Sequence, residues 1–210
     1  MEDNIMDKTK QNKIFSIILS VIIVVVAIIA AIKLLNQVRP EVSVDGQTLR
    51  TGMTVQELTD LGFTVGISIS GAGGLDLDSQ PQVPGESYSS KSYYIFKDGE
   101  YTNVDFSVYN KDVNSCDFKD SKIYAYSFSS RFNFSGTEVK VNGIEIGGMN
   151  KEDALNAFED LGVKFDADDK DEFLNGDYGF IIGKSGSYSF EIEADDNNKV
   201  IESIRAKMNV

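Results

Sequence analysis

The sequence predicts an α+β protein: an N-terminal transmembrane helix, then two tandem repeats, each a β-hairpin, a helix and an antiparallel sheet. Three observations predict it. Residues 14–32 form an uninterrupted apolar run between Lys13 and Lys33. The segment Glu41-Val42-Ser43-Val44-Asp45-Gly46 returns as Glu138-Val139-Lys140-Val141-Asn142-Gly143. Each copy precedes a short helical pattern that stops at Leu-Gly, Leu61-Gly62 and Leu161-Gly162. The implied organisation is a leader over residues 1–13, a transmembrane helix over 14–35, a linker over 36–40, and repeats over 41–137 and 138–210.

A helix over the apolar run rises ~28 Å at ~1.5 Å per residue, the thickness of a bilayer's hydrocarbon core. The run exceeds the ~7–15-residue core of a signal peptide and lacks a clean small-x-small site, so an uncleaved single-pass anchor is expected. Lys8, Lys10 and Lys13 place the leader on the cytoplasmic side and the large C-terminal part outside. Ser16, Ser20, Ala27 and Ala31 recur at helical spacing, a small-residue stripe that would let two copies approach as a homodimer, although Ser and Ala are common enough in such helices for the spacing to arise without pairing.

Asp45-Gly46 and Asn142-Gly143 supply the positive φ angles of a type I′ turn, so each repeat opens with a hairpin. Thr54 and Glu57 form a capping box that starts the first helix, and Asn150 with Asp153 repeats the device. Val55, Leu58 and Leu61 form one apolar stripe; Ala154, Leu155, Phe158 and Leu161 form the other. Gly62 and Gly162 end the helices in the left-handed conformation. Strands are expected over 63–70, 93–97, 101–109 and 122–129, and again over 162–165, 178–183, 188–194 and 200–207. A helix with one apolar stripe and a sheet with one apolar face pack as two layers.

The helix starts Gly52-Met53-Thr54-Val55-Gln56-Glu57 and Gly148-Met149-Asn150-Lys151-Glu152-Asp153 resemble those of known tandem repeats. They are similar to the repeats of the β-lactamase inhibitor protein and of small outer-membrane assembly lipoproteins of the SmpA/OmlA type. Here the Asp/Asn-Gly hairpin comes first and an apolar helix stands in place of a lipid anchor. The resemblance implies a non-enzymatic module that binds another protein, and it carries over no functional residues.

Residues 1–39 hold five Lys/Arg and three Asp/Glu, a net +2; the other 171 hold 15 against 30, a net −15. That acidic part repels phosphate backbones, which sets nucleic acid aside as a partner. The chain has no histidine, which excludes Ser-His-Asp and Cys-His catalysis and imidazole metal ligands. Cys116 is the only cysteine, so there is neither an internal disulfide nor a thiolate zinc site. No cofactor signature is present. Gly71-Ala72-Gly73-Gly74 opens no helix that would hold a phosphate, and residues 71–90 read as a long Gly/Ser/Pro-rich loop.

Two clusters remain as candidate sites. Asp166, Asp168, Asp169 and Asp171 offer the oxygens calcium takes, although Lys170 and Asp171 break the EF-hand pattern, so a solvated acidic turn is expected. Tyr124, Tyr126 and Phe128 alternate onto one strand face, with Tyr93 and Phe132 nearby, as an aromatic contact surface. The functional expectation is a membrane-anchored, extracytoplasmic, non-catalytic module that binds a protein or a cell-envelope partner. The alternative is a carboxylate-based hydrolase acting on an extracellular glycan.

Overall fold

A computed structural model describes residues 2–35, 37–71, 74–89, 91–130, 136–145, 147–176, 179–195 and 200–209. Residues Met1–Gln37 and Val38–Val210 form two compact units. The first is the helix α1 (Glu2–Leu35). Its segment Phe15–Ile32 is long and apolar enough to cross a membrane, a property shared with signal sequences near an N-terminus. Ser16, Ser20, Ala27 and Ala31 lie along one side of this helix, and the Ser20 hydroxyl donates to the Ser16 carbonyl at 2.9 Å.

The second unit begins with the hairpin β1 (Glu41–Val44) and β2 (Gln47–Arg50), turned by Asp45 and Gly46 at φ 47° and 79°. The matching hairpin is β8 (Val139–Val141) and β9 (Ile144–Glu145), turned by Asn142 and Gly143 at φ 50° and 80°. The two hairpins join through an antiparallel β1–β8 pairing into one four-stranded sheet, β2-β1-β8-β9. Matching residues exchange matching bonds across that seam. Asp45 N–H donates to the Glu138 carbonyl at 2.9 Å, and Asn142 N–H to the Glu41 carbonyl at 2.8 Å.

Each hairpin leads into a capped helix. In α2 (Val55–Asp60) both halves of the capping box form: Glu57 N–H donates to Thr54 Oγ1 at 3.0 Å, and Thr54 N–H to the Glu57 carboxylate at 2.6 Å. In α3 (Lys151–Asp160) Asn150 Oδ1 accepts from Asp153 N–H at 2.8 Å, while the Asp153 carboxylate takes the Asn150 side-chain amide. Thr54→Ala is therefore expected to cost about 1 kcal/mol in urea denaturation, and Asn150→Ala a similar amount. A change below a few tenths for Thr54→Ala would show that the box does not hold α2.

The large sheet comprises β3 (Thr64–Gly66), β4 (Ser87–Tyr88), β5 (Tyr93–Lys97), β6 (Glu100–Asn110), β7 (Lys122–Ser129), β10 (Phe180–Ser185), β11 (Tyr188–Asp195) and β12 (Val200–Met208). Its order is β10-β11-β12-β7-β6-β5-β3, all antiparallel, with β4 beside the end of β6. The β7–β12 pairing joins the strands that follow the first hairpin to those that follow the second. Each helix start is fixed to this sheet by an equivalent bond: Ile123 N–H to the Met53 carbonyl, and Ile201 N–H to the Met149 carbonyl, both 2.8 Å. One core joins the buried face of this sheet to α2, α3 and the small sheet. Val42, Leu49, Leu58, Phe106, Tyr126, Phe158, Phe173 and Ile192 are among its buried members.

Several expected features differ. Leu61 and Leu161 are 39% and 42% exposed; Phe63 and Val163, just past the glycine turns, are buried instead. Gly62 and Gly162, at φ 90° and 98°, reverse the chain so that the residue after each glycine faces inward. The strand expected over 63–70 stops at Gly66, because the Ser68 hydroxyl and carbonyl take the N–H groups of Ser70 and Gly71 into a turn. Residues 162–165 form no strand and contribute a single bridge, Lys164 to Lys184. The acidic stretch is not a turn but the helix α4 (Ala167–Asn175), capped by the Asp166 carboxylate and anchored by buried Phe173. Asp168 and Asp169 in its first turn favour the positive end of the helix dipole.

Candidate functional site: the open face of the large sheet

The ladder register places one residue from each of seven strands in a single row: Gly66, Tyr94, Asp105, Ser127, Arg205, Glu191 and Ile182. Side chains alternate along a strand, and the neighbours Val104, Phe106, Tyr126, Phe128, Ile204 and Ile192 belong to the core. The row therefore lies on the opposite face. The buried apolar side chains of α2, α3 and α4 all join the core, so none of these three helices covers this row.

Asp105 and Arg205 are the centre of the row. Burial pushes the Asp105 carboxyl up to about 6, against the smaller opposing effects of hydrogen bonds from the Ser92 and Ser127 hydroxyls and the charge of Arg205. One Arg205 Nη donates to the Tyr124 hydroxyl at 3.4 Å, a long bond. Its Nε is buried with no hydrogen-bond partner among the described residues. Beyond Arg205, Glu191 pairs with Lys207, their side chains 16% and 30% exposed. On the other side, the rings of Tyr94 and Tyr101 meet edge to face at 5.6 Å. Burial, then Asp105 and Tyr94, raise the Tyr101 hydroxyl, so it stays protonated and can donate.

A tyrosine cluster extends the face. Tyr88 meets Tyr124 edge to face at 5.1 Å and Tyr109 in a stack at 6.1 Å. Tyr109 is buried, while Tyr88 is half exposed. Tyr88 also borders a groove of about 310 Å3 whose wall is the 80–89 segment, with Pro81 and Pro84. That segment is held by bonds between Val83 and Cys116 (2.9 and 3.0 Å), and the Lys119–Asp78 ion pair ties down the chain just before it. Burial first, then Asp120, Asp112 and Asp117, raise the Cys116 thiol, which keeps it protonated and unreactive near neutral pH.

The aromatic surface expected from sequence is only partly there. Tyr93, Tyr126 and Phe128 are 8%, 0% and 8% exposed, and they build the core. Tyr124 does reach the open face. Phe132 lies outside the described residues. The cause is a shift in pairing between β6 and β7: Ser107 opposes Ala125, the next residue Val108 opposes Ile123, and Tyr124 is skipped. The skipped residue changes the phase, so Tyr124 and Tyr126 part company.

Asp105, Arg205 and Glu191 were not singled out by sequence. The available signal was a charge inside an apolar strand, as in Val104-Asp105-Phe106 and Ile204-Arg205-Ala206. Only the β7–β12 pairing makes those two charges neighbours.

Asp166 caps α4, and Asp168, Asp169 and Asp171 are distributed along it. Among the described residues, no group of three or more acidic or cysteine side chains converges in a metal-holding arrangement. No protein-family model, no curated protein and no solved structure matches this chain.

Proposed function

We propose that the chain is a membrane-tethered binding module. In this reading α1 crosses the bilayer once with residues 1–13 on the cytoplasmic side, and residues 38–210 face the exterior. The open sheet face binds a protein or a cell-envelope polymer without catalysis. The observation that carries the proposal is the registered row itself. It sets a buried guanidinium nitrogen with no partner among the described residues, and a carboxyl raised to about 6, beside tyrosines on a face that α2, α3 and α4 leave uncovered. Buried polar groups without partners are rare in folded proteins and recur at sites that await one. Tyrosines add contact area at small entropic cost. The likeness of the Gly-Met-Thr helix start to the β-lactamase inhibitor repeats supports recognition over catalysis, as does a cation, not a second carboxylate, beside Asp105.

The test is affinity capture with the full chain from solubilised native membranes, comparing wild type with Tyr94→Ser/Arg205→Ser. The proposal expects a discrete partner with wild type, reduced at least tenfold by the double variant and unchanged by Thr48→Ser on the small sheet. Recovery of the same partner by all three proteins would overturn the assignment of the face. Release of sugars from a cell-wall glycan, abolished by Asp105→Asn, would favour a carboxylate hydrolase instead.

A further inference from the structure

We infer a second binding site at the free backbone edge of β10, where the row of the open face ends at Ile182: it takes an extended peptide of alternating apolar and basic residues as an added strand. β10 ends the large sheet, and among the described residues only Lys184 has a neighbour on its outer side, exchanging bonds with Lys164 at 2.9 and 2.8 Å. In an antiparallel ladder, backbone groups of alternate residues point to alternate sides. Since Lys184 points outward, Ile182 and Phe180 do too. No described residue takes their N–H or C=O groups. The chain thus presents two outward donors and two outward acceptors at strand spacing, the template used in strand addition.

The flank of that edge says what kind of strand it takes. A groove of about 700 Å3 runs between α4 and β10, floored by Phe165, Phe173 and Ile181. Phe180 and Ile182 stand exposed beside it at 45% and 36%. Asp166 at the N-cap of α4 and Asp169 and Glu172 within it, three residues apart, line the groove, as do Lys164 and Lys184. Neither Asp169 nor Glu172 forms an ion pair with a described residue, whereas Lys170 is already paired with Glu159 at 2.7 Å. An incoming strand puts alternate side chains on the two faces of the sheet, one set towards α4 and its carboxylates and the other beside the exposed Phe180 and Ile182, so cationic and apolar residues in alternation fit both. A second copy of this chain is disfavoured as occupant by the net −15 that each copy carries outside the N-terminal 39 residues.

The probe is a fluorescent eight-residue peptide alternating valine and lysine, with a valine–glutamate peptide as its control. Binding to the full chain in nanodiscs is read by anisotropy at two salt concentrations. The lysine peptide is expected to bind at least tenfold more tightly than the glutamate peptide, and more weakly at high salt. Ile182→Pro removes an outward N–H that β11 does not use and is expected to reduce binding at least tenfold. Asp169→Asn/Glu172→Gln alters only exposed positions of α4 and is expected to reduce it about as much, which guards against a folding defect in the proline variant. Equal affinity for the two peptides, no saturable binding, or binding indifferent to both variants would overturn the inference. So would sedimentation showing a dimer that Ile182→Pro converts to monomer, since the edge would then pair with another copy. Tyr94→Ser/Arg205→Ser leaves this binding unchanged, which separates the outcome from that of the open face.

Discussion

Replacing Tyr126 by alanine is expected to cost the 38–210 unit about 3–5 kcal/mol, the range for deleting a fully buried aromatic ring. The ring is 0% exposed and sits in the core opposite Phe106 and Ala206 on the two flanking strands. Its hydroxyl reaches out of the sheet and donates to the Arg50 carbonyl at 3.3 Å, at the end of β2. Removing the ring leaves a cavity at the junction of β6, β7 and β12, where the two halves of the large sheet meet, and the neighbouring strands cannot collapse into it. Tyr126→Phe keeps the volume and loses one long hydrogen bond, so about 1 kcal/mol is expected. Urea unfolding followed by tyrosine fluorescence measures both. A loss below 1 kcal/mol for the alanine variant would mean that this residue does not join the halves of the sheet.

The second large effect is a gain. Asp105 has a folded pKa of about 6 against an ordinary value of 3.8. Between those values the native state holds a proton that the unfolded chain releases. The resulting stabilisation is fully present below about pH 4 and is lost as pH rises through about 6. The difference is on the order of 2–3 kcal/mol at most. At neutral pH the protein therefore carries an ionised carboxylate that weakens its own fold. Asp105→Asn is neutral at every pH and keeps an acceptor for Ser92 and Ser127. The expected result is a variant more stable than wild type by on the order of 2 kcal/mol at pH 8, with the difference vanishing near pH 4. A variant less stable than wild type at pH 8 would show that the ionised carboxylate is held favourably, with Arg205 outweighing burial. Destabilising charges of this kind are retained where binding or chemistry needs them.

The local signals in the sequence led directly to local structure. Asp45-Gly46 and Asn142-Gly143 make the turns they imply, Thr54 with Glu57 makes the capping box, and β5, β6, β7, β11 and β12 fall within one or two residues of their expected bounds. α4 was hidden because its single buried anchor, Phe173, is surrounded by charges that read as a solvated turn. What local pattern could not reach was pairing between distant segments. Glu41–Gly46 and Glu138–Gly143 are visible as echoes, but their joining into one sheet through β1 and β8 depends on residues about a hundred positions apart. The open face depends in the same way on β7 meeting β12, and on one skipped residue at Tyr124. The expected surface therefore used the right strand and the wrong phase: it took Tyr126 and Phe128 for surface and passed over Asp105 and Arg205.

If the open face is the contact surface of a tethered binding module, a photo-crosslinking amino acid at position 94 meets the partner. The experiment places it there in the full chain in native membranes, with the same probe at Thr48 on the small sheet as the comparison. Irradiation is expected to give a discrete adduct from position 94 and none from position 48. Equal adducts from the two positions, or none from position 94 while position 48 crosslinks, would contradict the claim.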